Sequence, residues 1–392
     1  MAVVEIDDLE GFGRSRLKSL LDHLGEIEDV RDPWRVAHPL REVLFLVVCG
    51  TICDCEDYDL ISEWGEQHLA FLRRYLPYYH GVPSGRWLTI LMNRINPATF
   101  SRVFTDWVRD SWPDEPDIVA IDGKTSRRSH DRSAGRAALH LVSAYATTAR
   151  LVLGQEAVAD KSSETSAIPV LLERLGEDDG LKGAVVSIDA IATNATIAKA
   201  IIAQGADYLL AVKSNQPTLR RDIERYFDDA PADQLKTATD LDKGHGRIEE
   251  RTVTVSAQTD WLAGERHFPG ELRLPGARTL IRVEAKVELA ERSRIETRYF
   301  FSSATLDADR AAIIVRGHWL IENALHWTLD VVFGDDQSRL TKGHGALNMA
   351  ILRHFAINLV RSVNDKKSIK LRRKRAGWNT DYLDTILGIL KR

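Results

Sequence analysis

Two aspartates, Asp122 and Asp189, each close a short apolar run, residues 118–121 and 184–188. A carboxylate at a buried strand end must be paired, hydrogen-bonded or metal-bound, because an unpaired buried charge is costly. Two of them on adjacent strands form an oxygen-donor site suited to Mg²⁺ or Mn²⁺. The alternative is that each caps the turn or helix that follows. Glu322 is the third candidate. On a helix, His318, Glu322, His326 and Asp330 share one stripe at i, i+4 spacing. Three readings stay open: a zinc site using both histidines, a carboxylate facing the sheet, or an amphipathic helix with a wet polar face. The zinc reading lacks the zincin spacing. Gly123-Lys124 is not a phosphate loop, since the glycine-rich spacing is missing. Lys213 and Asn215 follow a strand end and offer a cation and an amide, for phosphate contact or an ordinary helix cap. Residues 366–375 hold seven basic side chains and no acidic one, including Arg372, Arg373, Lys374 and Arg375. That run suits either DNA-backbone contact or a solvated, flexible segment.

These residues need elements to hold them. The first part of the chain reads as helical. Residues 43–52 are apolar all round, which predicts a buried helix. Asp57 or Asp59 caps the next one. Asn96 as N-cap and Pro97 at the first turn open a third, with Phe100, Val103, Phe104, Trp107 and Val108 on one face. The prolines at 113 and 116 mark a boundary. Strands follow at 118–121, 137–146 and 151–158, then a helix at 166–175, a strand at 184–188, a helix at 195–204 and a strand at 208–212. That order predicts an α/β layered domain with a mixed sheet. Three segments with period-two patterning, 252–257, 281–289 and 295–301, predict an antiparallel, β-rich insertion with a turn at 270–276. Asp307 or Asp309 then caps a long helix reaching about residue 332, and helices at 347–363 and 382–390 close the chain. The expected units are 1–113, 114–235, 236–305 and 306–392.

Composition limits the function classes. The chain has 392 residues, 44% hydrophobic and 28% charged, which excludes a disordered, collagen-like or disulfide-framework protein. Net charge is −4, so overall charge does not announce a nucleic-acid binder; only the basic run does. Cys49, Cys53 and Cys55 lie together without nearby metal ligands, which favours structural thiols in a reducing compartment. No signal peptide or membrane span is expected, and the protein is expected to be cytoplasmic.

The motifs in combination are distinctive. The chain carries Ala120-Ile121-Asp122-Gly123-Lys124, Leu139-His140-Leu141-Val142-Ser143-Ala144 and Asp207-Tyr208-Leu209-Leu210-Ala211-Val212-Lys213 with Asn215-Gln216-Pro217. It continues with Gly244-His245-Gly246-Arg247-Ile248-Glu249, then Arg316-Gly317-His318-Trp319, Ile321-Glu322-Asn323 and Leu325-His326-Trp327. In this it resembles insertion-sequence transposases of the H-repeat-associated (ISAs-type) family, within the DDE superfamily. The resemblance covers roughly residues 30–390. It implies an α/β, RNase H-like mixed-sheet core with a β-rich insertion, preceded by an all-helical accessory domain. By motif the family's catalytic and metal-holding Asp, Asp and Glu fall on Asp122, Asp189 and Glu322. The implied chemistry is two-metal phosphoryl transfer with Mg²⁺, Mn²⁺ substituting: cleavage at element ends, then joining of the 3′-OH to target DNA. Lys124, Lys213 and Arg316 become candidate phosphate contacts. His318 and His326 position Glu322, contact DNA or pack. The implied partner is double-stranded DNA, bound by a dimer or larger assembly in a nucleoid-associated state. The competing readings are a metal-dependent nuclease without strand transfer and a transposon-derived DNA binder without cleavage. The chain departs from the family pattern after Asp189, where it reads Ile191-Ala192-Thr193-Asn194.

Overall fold

The computed structural model describes residues 16–29, 31–130, 135–158, 163–190, 193–244, 247–262, 273–289 and 292–389. The acidic N-terminus, Ile191-Ala192, His245-Gly246 and the start of the expected 270–276 turn lie outside the described residues. The N-terminal region is helical: α1 Arg16–Gly25, α2 Leu40–Ile52, α3 Tyr58–Gln67, α4 Leu69–Leu72, α5 Gly85–Met92 and α6 Pro97–Ser111. Asp57, not Asp59, caps α3 by accepting from the Leu60 amide, and Asn96 caps α6 as expected.

Then come β1 Ile118–Thr125, β2 His140–Ala146, β3 Leu151–Val158, α7 Glu164–Gly176, β4 Val185–Ile188, α8 Ala195–Ala203, β5 Asp207–Val212 and α9 Pro217–Asp229. Four strands follow, β6 Lys236–Gly244, β7 Arg247–Ser256, β8 Thr279–Leu289 and β9 Arg292–Ser302. The helical end comprises α10 Ala308–Leu320, a π-helical turn Ile321–His326, α11 Trp327–Val331, α12 Gly345–Arg361, α13 Ile369–Trp378 and α14 Thr380–Ile386.

Among the described residues the nine strands form one sheet in the order β3-β2-β1-β4-β5-β9-β8-β7-β6. β1 is antiparallel to β2 and parallel to β4, and β4 is parallel to β5. That is the RNase H-like arrangement, with crossovers α7 and α8. The strands of the expected insertion continue the same sheet: β9 pairs antiparallel with β5 and carries it outward. The insertion has four strands where three were expected. β6 escaped because an edge strand, wet on one side, needs little apolar patterning.

Alternation along β1 divides the interior. Val119 and Ile121 face α7 and α8, while Ala120 faces the helices on the other side. That second core also takes in the N-terminal helices. Phe100, Phe104 and Trp107 of α6 pack their rings 5.7, 4.9 and 4.8 Å from Phe355 of α12. The expected unit 1–113 therefore shares its core with α12. Asn358 fixes α12 to the sheet by bonding both the amide and the carbonyl of Val152 at 2.9 Å.

The basic run is a packed helix, not a flexible tail. Arg373 is 1% exposed. Its guanidinium lies 3.9 Å from the Phe333 ring, pairs with Asp54 at 2.9 Å, and donates to the carbonyls of Val332 and Thr51. Arg372 is also buried, on Asp365 and the Val360 carbonyl. Both guanidiniums are committed to partners within the protein. Lys374 stays exposed, and Arg375 stacks on Tyr382 at 4.5 Å. Arg373→Ala strands Asp54 and two carbonyls, so about 3–5 kcal/mol of stability is expected to go in urea denaturation. Lys374→Ala on the same helix should stay within about 0.5 kcal/mol.

Candidate active site

β1 runs past Asp122 to Thr125, so Asp122 sits inside the strand, opposite Ser143, rather than at its end. β2 pairs with it there, while the pairing of β1 with β4 ends one residue earlier, at Ile121. Asp189 follows the last residue of β4 directly. Glu322 projects from the π-helical turn that interrupts the long helix after α10. Asp189 and Glu322 line one cleft of about 320 Å³, together with Lys213, Arg220, Arg298 and His318. Asp122 lies within electrostatic reach of both. Burial first, then the charges of Glu322, Glu164 and Asp189, push its carboxyl up to about 7, against the pull of the Gly123 amide. Asp189 goes the other way. Burial would raise it, but Lys213, at 2.6 Å from its Oδ1, and the Ala190 amide hold it below the usual carboxylate range.

The stripe expected on the helix is real and runs along the sheet. His318 meets Ser187 of β4 at 3.1 Å, and burial lowers its pKa. His326 places Nδ1 3.7 Å from Asp122 Oδ2, and burial first, then Lys124, brings it down to about 4. Both rings are thus neutral at physiological pH. Asp330 reaches Lys124 at 2.7 Å.

Other candidates have their charges committed elsewhere. Lys124 sits among Asp330, Asp335 and Asp336 at 2.7, 2.8 and 3.7 Å, with its side chain 10% exposed. It neutralises that cluster and does not face the cleft as a phosphate contact. Those aspartates are the group of metal-type ligand atoms within 4.8 Å of one another among the described residues, and the lysine ammonium serves them. Arg316 bridges to Asp240 and Asp242 of β6 at 2.6 and 2.7 Å. Asn215 donates to the Ala190 carbonyl at 3.1 Å and ties the loop after β5 to the loop after β4. Asn194, one of the departures from the family pattern, caps α8 by accepting from the Ile197 amide at 2.9 Å.

One group near Asp122 went unassigned in the sequence. His140 of β2 and Glu164 of α7 meet at 2.6 Å, both buried, and Thr125 meets the other ring nitrogen at 2.7 Å. They cover the opposite face of β1, at Gly123. A Cβ there would fall inside contact distance of Glu164 Oε1 and His140 Nε2. Only Leu139-His140 within a longer string hinted at this, because the contacts join residues far apart in sequence. Gly123→Ala is expected to cost about 1–3 kcal/mol, read as a lower melting temperature.

The donor set suits a hard divalent cation. Asp122, Asp189 and Glu322 offer carboxylate oxygen only, and the Asp122 carboxyl, raised first by burial and then by neighbouring carboxylates, is one whose ionised form a dication would favour.

A family model described as "Transposase DDE domain" matches residues 113–359, and one described as "DDE_Tnp_1-associated" matches residues 21–108. This chain belongs to the DDE transposase family. The H repeat-associated putative transposase YhhI of Escherichia coli (strain K12) is 36% identical over 384 residues, covering 95% of this chain and 98% of that one. The H repeat-associated putative transposase YbfD of the same strain is 37% identical over 252 residues, covering 63% of this chain and 97% of that one. Among solved structures, a piggyBac transposase synaptic complex with hairpin DNA aligns at TM-score 0.40 and 11% identity, over 95% of this chain and 78% of that one. DDE transposases cleave DNA and use divalent metal. No helix among the described residues is long and apolar enough to cross a membrane.

Proposed function

We propose that the protein is an insertion-element transposase in which Asp122, Asp189 and Glu322 hold two Mg²⁺ ions, with Mn²⁺ able to substitute. What supports this reading is that the charges of Glu322 and Asp189 both act on the buried Asp122 carboxyl, in a chain of the DDE family. Divalent ions bound there supply Lewis-acid activation of a scissile phosphodiester and of the attacking oxygen. The chain's own part is positional. Asp122 and Asp189 each come directly after the last paired residues of the parallel strands β1 and β4, Ile121 and Ile188, which brings them out at the same end of the sheet. Glu322 comes from the π-helical turn and lines the same cleft as Asp189. His326 packs beside Asp122 as a neutral ring, so it adds no competing positive charge. The cleft beyond Asp189 carries Lys213, Arg220 and Arg298, which suits an incoming phosphate backbone. Element ends are cleaved to expose a 3′-OH, which then joins target DNA. Handling two ends calls for two sites, hence a dimer or larger assembly on DNA.

The test uses the full chain with labelled duplex DNA from immediately outside its own gene, in Mg²⁺, Mn²⁺ or EDTA. Cuts at a defined repeat are expected with metal only, and joined products once target DNA is added. Asp122→Ala, Asp189→Ala and Glu322→Ala should each lower cleavage by about 10³-fold or more. Undiminished cleavage in all three variants overturns the reading. Cuts without joined products favour a nuclease.

A further inference from the structure

Asp189 and Lys213 follow neighbouring parallel strands, β4 and β5, and emerge at the same end of the sheet. Lys213 Nζ lies 2.6 Å from Asp189 Oδ1, with the two side chains 55% and 41% exposed. The loops beneath them are stitched together. Asn215 donates to the Ala190 carbonyl at 3.1 Å, Gln216 to Thr193 at 2.8 Å, and the Thr193 hydroxyl to Ala211 at 2.7 Å. Ala190 and Thr193 are thereby tied to the segment after β5, and the long, flexible stem of Lys213 is what can move. An ion pair this exposed is weak, on the order of 1 kcal/mol or less, so it opens readily.

An ammonium on Asp189 occupies the carboxylate that a divalent cation needs. When a dication takes that carboxylate, Lys213 loses its partner. Of the other acids lining the cleft, Glu322 belongs to the proposed metal-holding group and Glu296 already accepts from Arg298 at 2.7 Å. The cleft the ammonium then faces is open and lined by Arg220 and Arg298. A phosphate entering there is the partner that restores charge balance.

We propose that Lys213 is a resident counter-ion of Asp189, displaced by the divalent metal and handed on to a DNA phosphate, so that metal and DNA binding reinforce each other. This rests on the reading of Asp122, Asp189 and Glu322 as the metal-holding group. No covalent bond changes; one cation exchanges carboxylate for phosphate. Linkage requires the effect to be reciprocal: DNA tightens metal binding by the factor by which metal tightens DNA binding.

The experiment measures Mn²⁺ affinity by electron paramagnetic resonance on the full chain, and the salt dependence of binding to a duplex of arbitrary sequence. Lys213→Gln without DNA should bind Mn²⁺ roughly two- to fivefold tighter, the size of one half-exposed ion pair. In the wild-type protein, Mn²⁺ should steepen the slope of log K against log salt by about 0.9, one added phosphate contact. In Lys213→Gln, Mn²⁺ should leave that slope unchanged. Unchanged or weaker Mn²⁺ binding in Lys213→Gln, or a wild-type slope indifferent to Mn²⁺, overturns the counter-ion. Asp189→Ala separates the two readings. Wild-type Mn²⁺ affinity in that variant sinks the metal site itself, whereas its loss beside an unaltered Lys213→Gln sinks the counter-ion alone.

Discussion

Asp122→Asn is expected to lose cleavage by about 10³-fold and yet melt several degrees higher than the wild-type protein in the absence of metal. The carboxyl is pushed up to about 7 by burial and then by Glu322, Glu164 and Asp189, so its ionised form is unfavourable in the folded protein. A tenfold change in acidity corresponds to about 1.4 kcal/mol, so ionising this group in the folded chain costs a few kcal/mol. The sign follows from linkage. A carboxyl raised above its unfolded value contributes stability below about pH 4 and loses it as pH rises through 7. The advantage of Asn over Asp should therefore be greatest above pH 7 and vanish below pH 4. Mg²⁺ should close the gap by raising the wild-type melting temperature and leaving the variant's unchanged. Thermal melts between pH 4 and 8.5, with Mg²⁺ or EDTA, test this; an Asn variant less stable than wild type at pH 8 would contradict it.

The second large effect falls on Lys124. Its ammonium is within 2.8 Å of both Asp330 and Asp335, and Arg353 holds Asp335 from the other side. Asp335 is nearly wholly buried. Its carboxyl stays below the usual range because Arg353 and Lys124 outweigh the effect of burial. Lys124→Ala leaves that cluster short of a cation, and a loss of about 3–5 kcal/mol is expected. Adding Asp330→Asn should return part of it, which a double-mutant cycle in urea would measure. A fully stable Lys124→Ala with weakened DNA affinity would restore the phosphate-contact role expected from sequence.

The contrast between Lys124 and Asp122 shows how far sequence reaches. The strands β4 and β5 were legible because buried strands read as near-continuous apolar runs. The cap at Asn96 with Pro97 was legible because capping is local chemistry. Asp122 and Asp189 stood out by lying at or near strand ends, and Glu322 by its place on a helical stripe. What sequence concealed was partnership across distance. Arg373 reads as one more charge in a basic run; its partners Thr51 and Asp54 lie more than 300 positions away. Arg316 reads as a free cation until Asp240 and Asp242 fold back on it. Helix α9 was not expected because only Ile223 and Phe227 are buried in it, too few to stand out in a charged stretch.

The π-helical turn has a consequence for angular phase. Twelve residues separate His318 from Asp330, and an unbroken α-helix at 100° per residue would leave them about 120° out of phase. Asp330 would then point away from Lys124. The wider turn at Ile321–His326, at roughly 80° per residue, removes about 100° of that drift. Twelve residues thus do the angular work of eleven. A relative one residue shorter within this stretch could wind it as ordinary α-helix and still aim both ends at the sheet. Its alignment gap would fall between Ile321 and His326, and the two polar side chains flanking the gap would stand three positions apart rather than four.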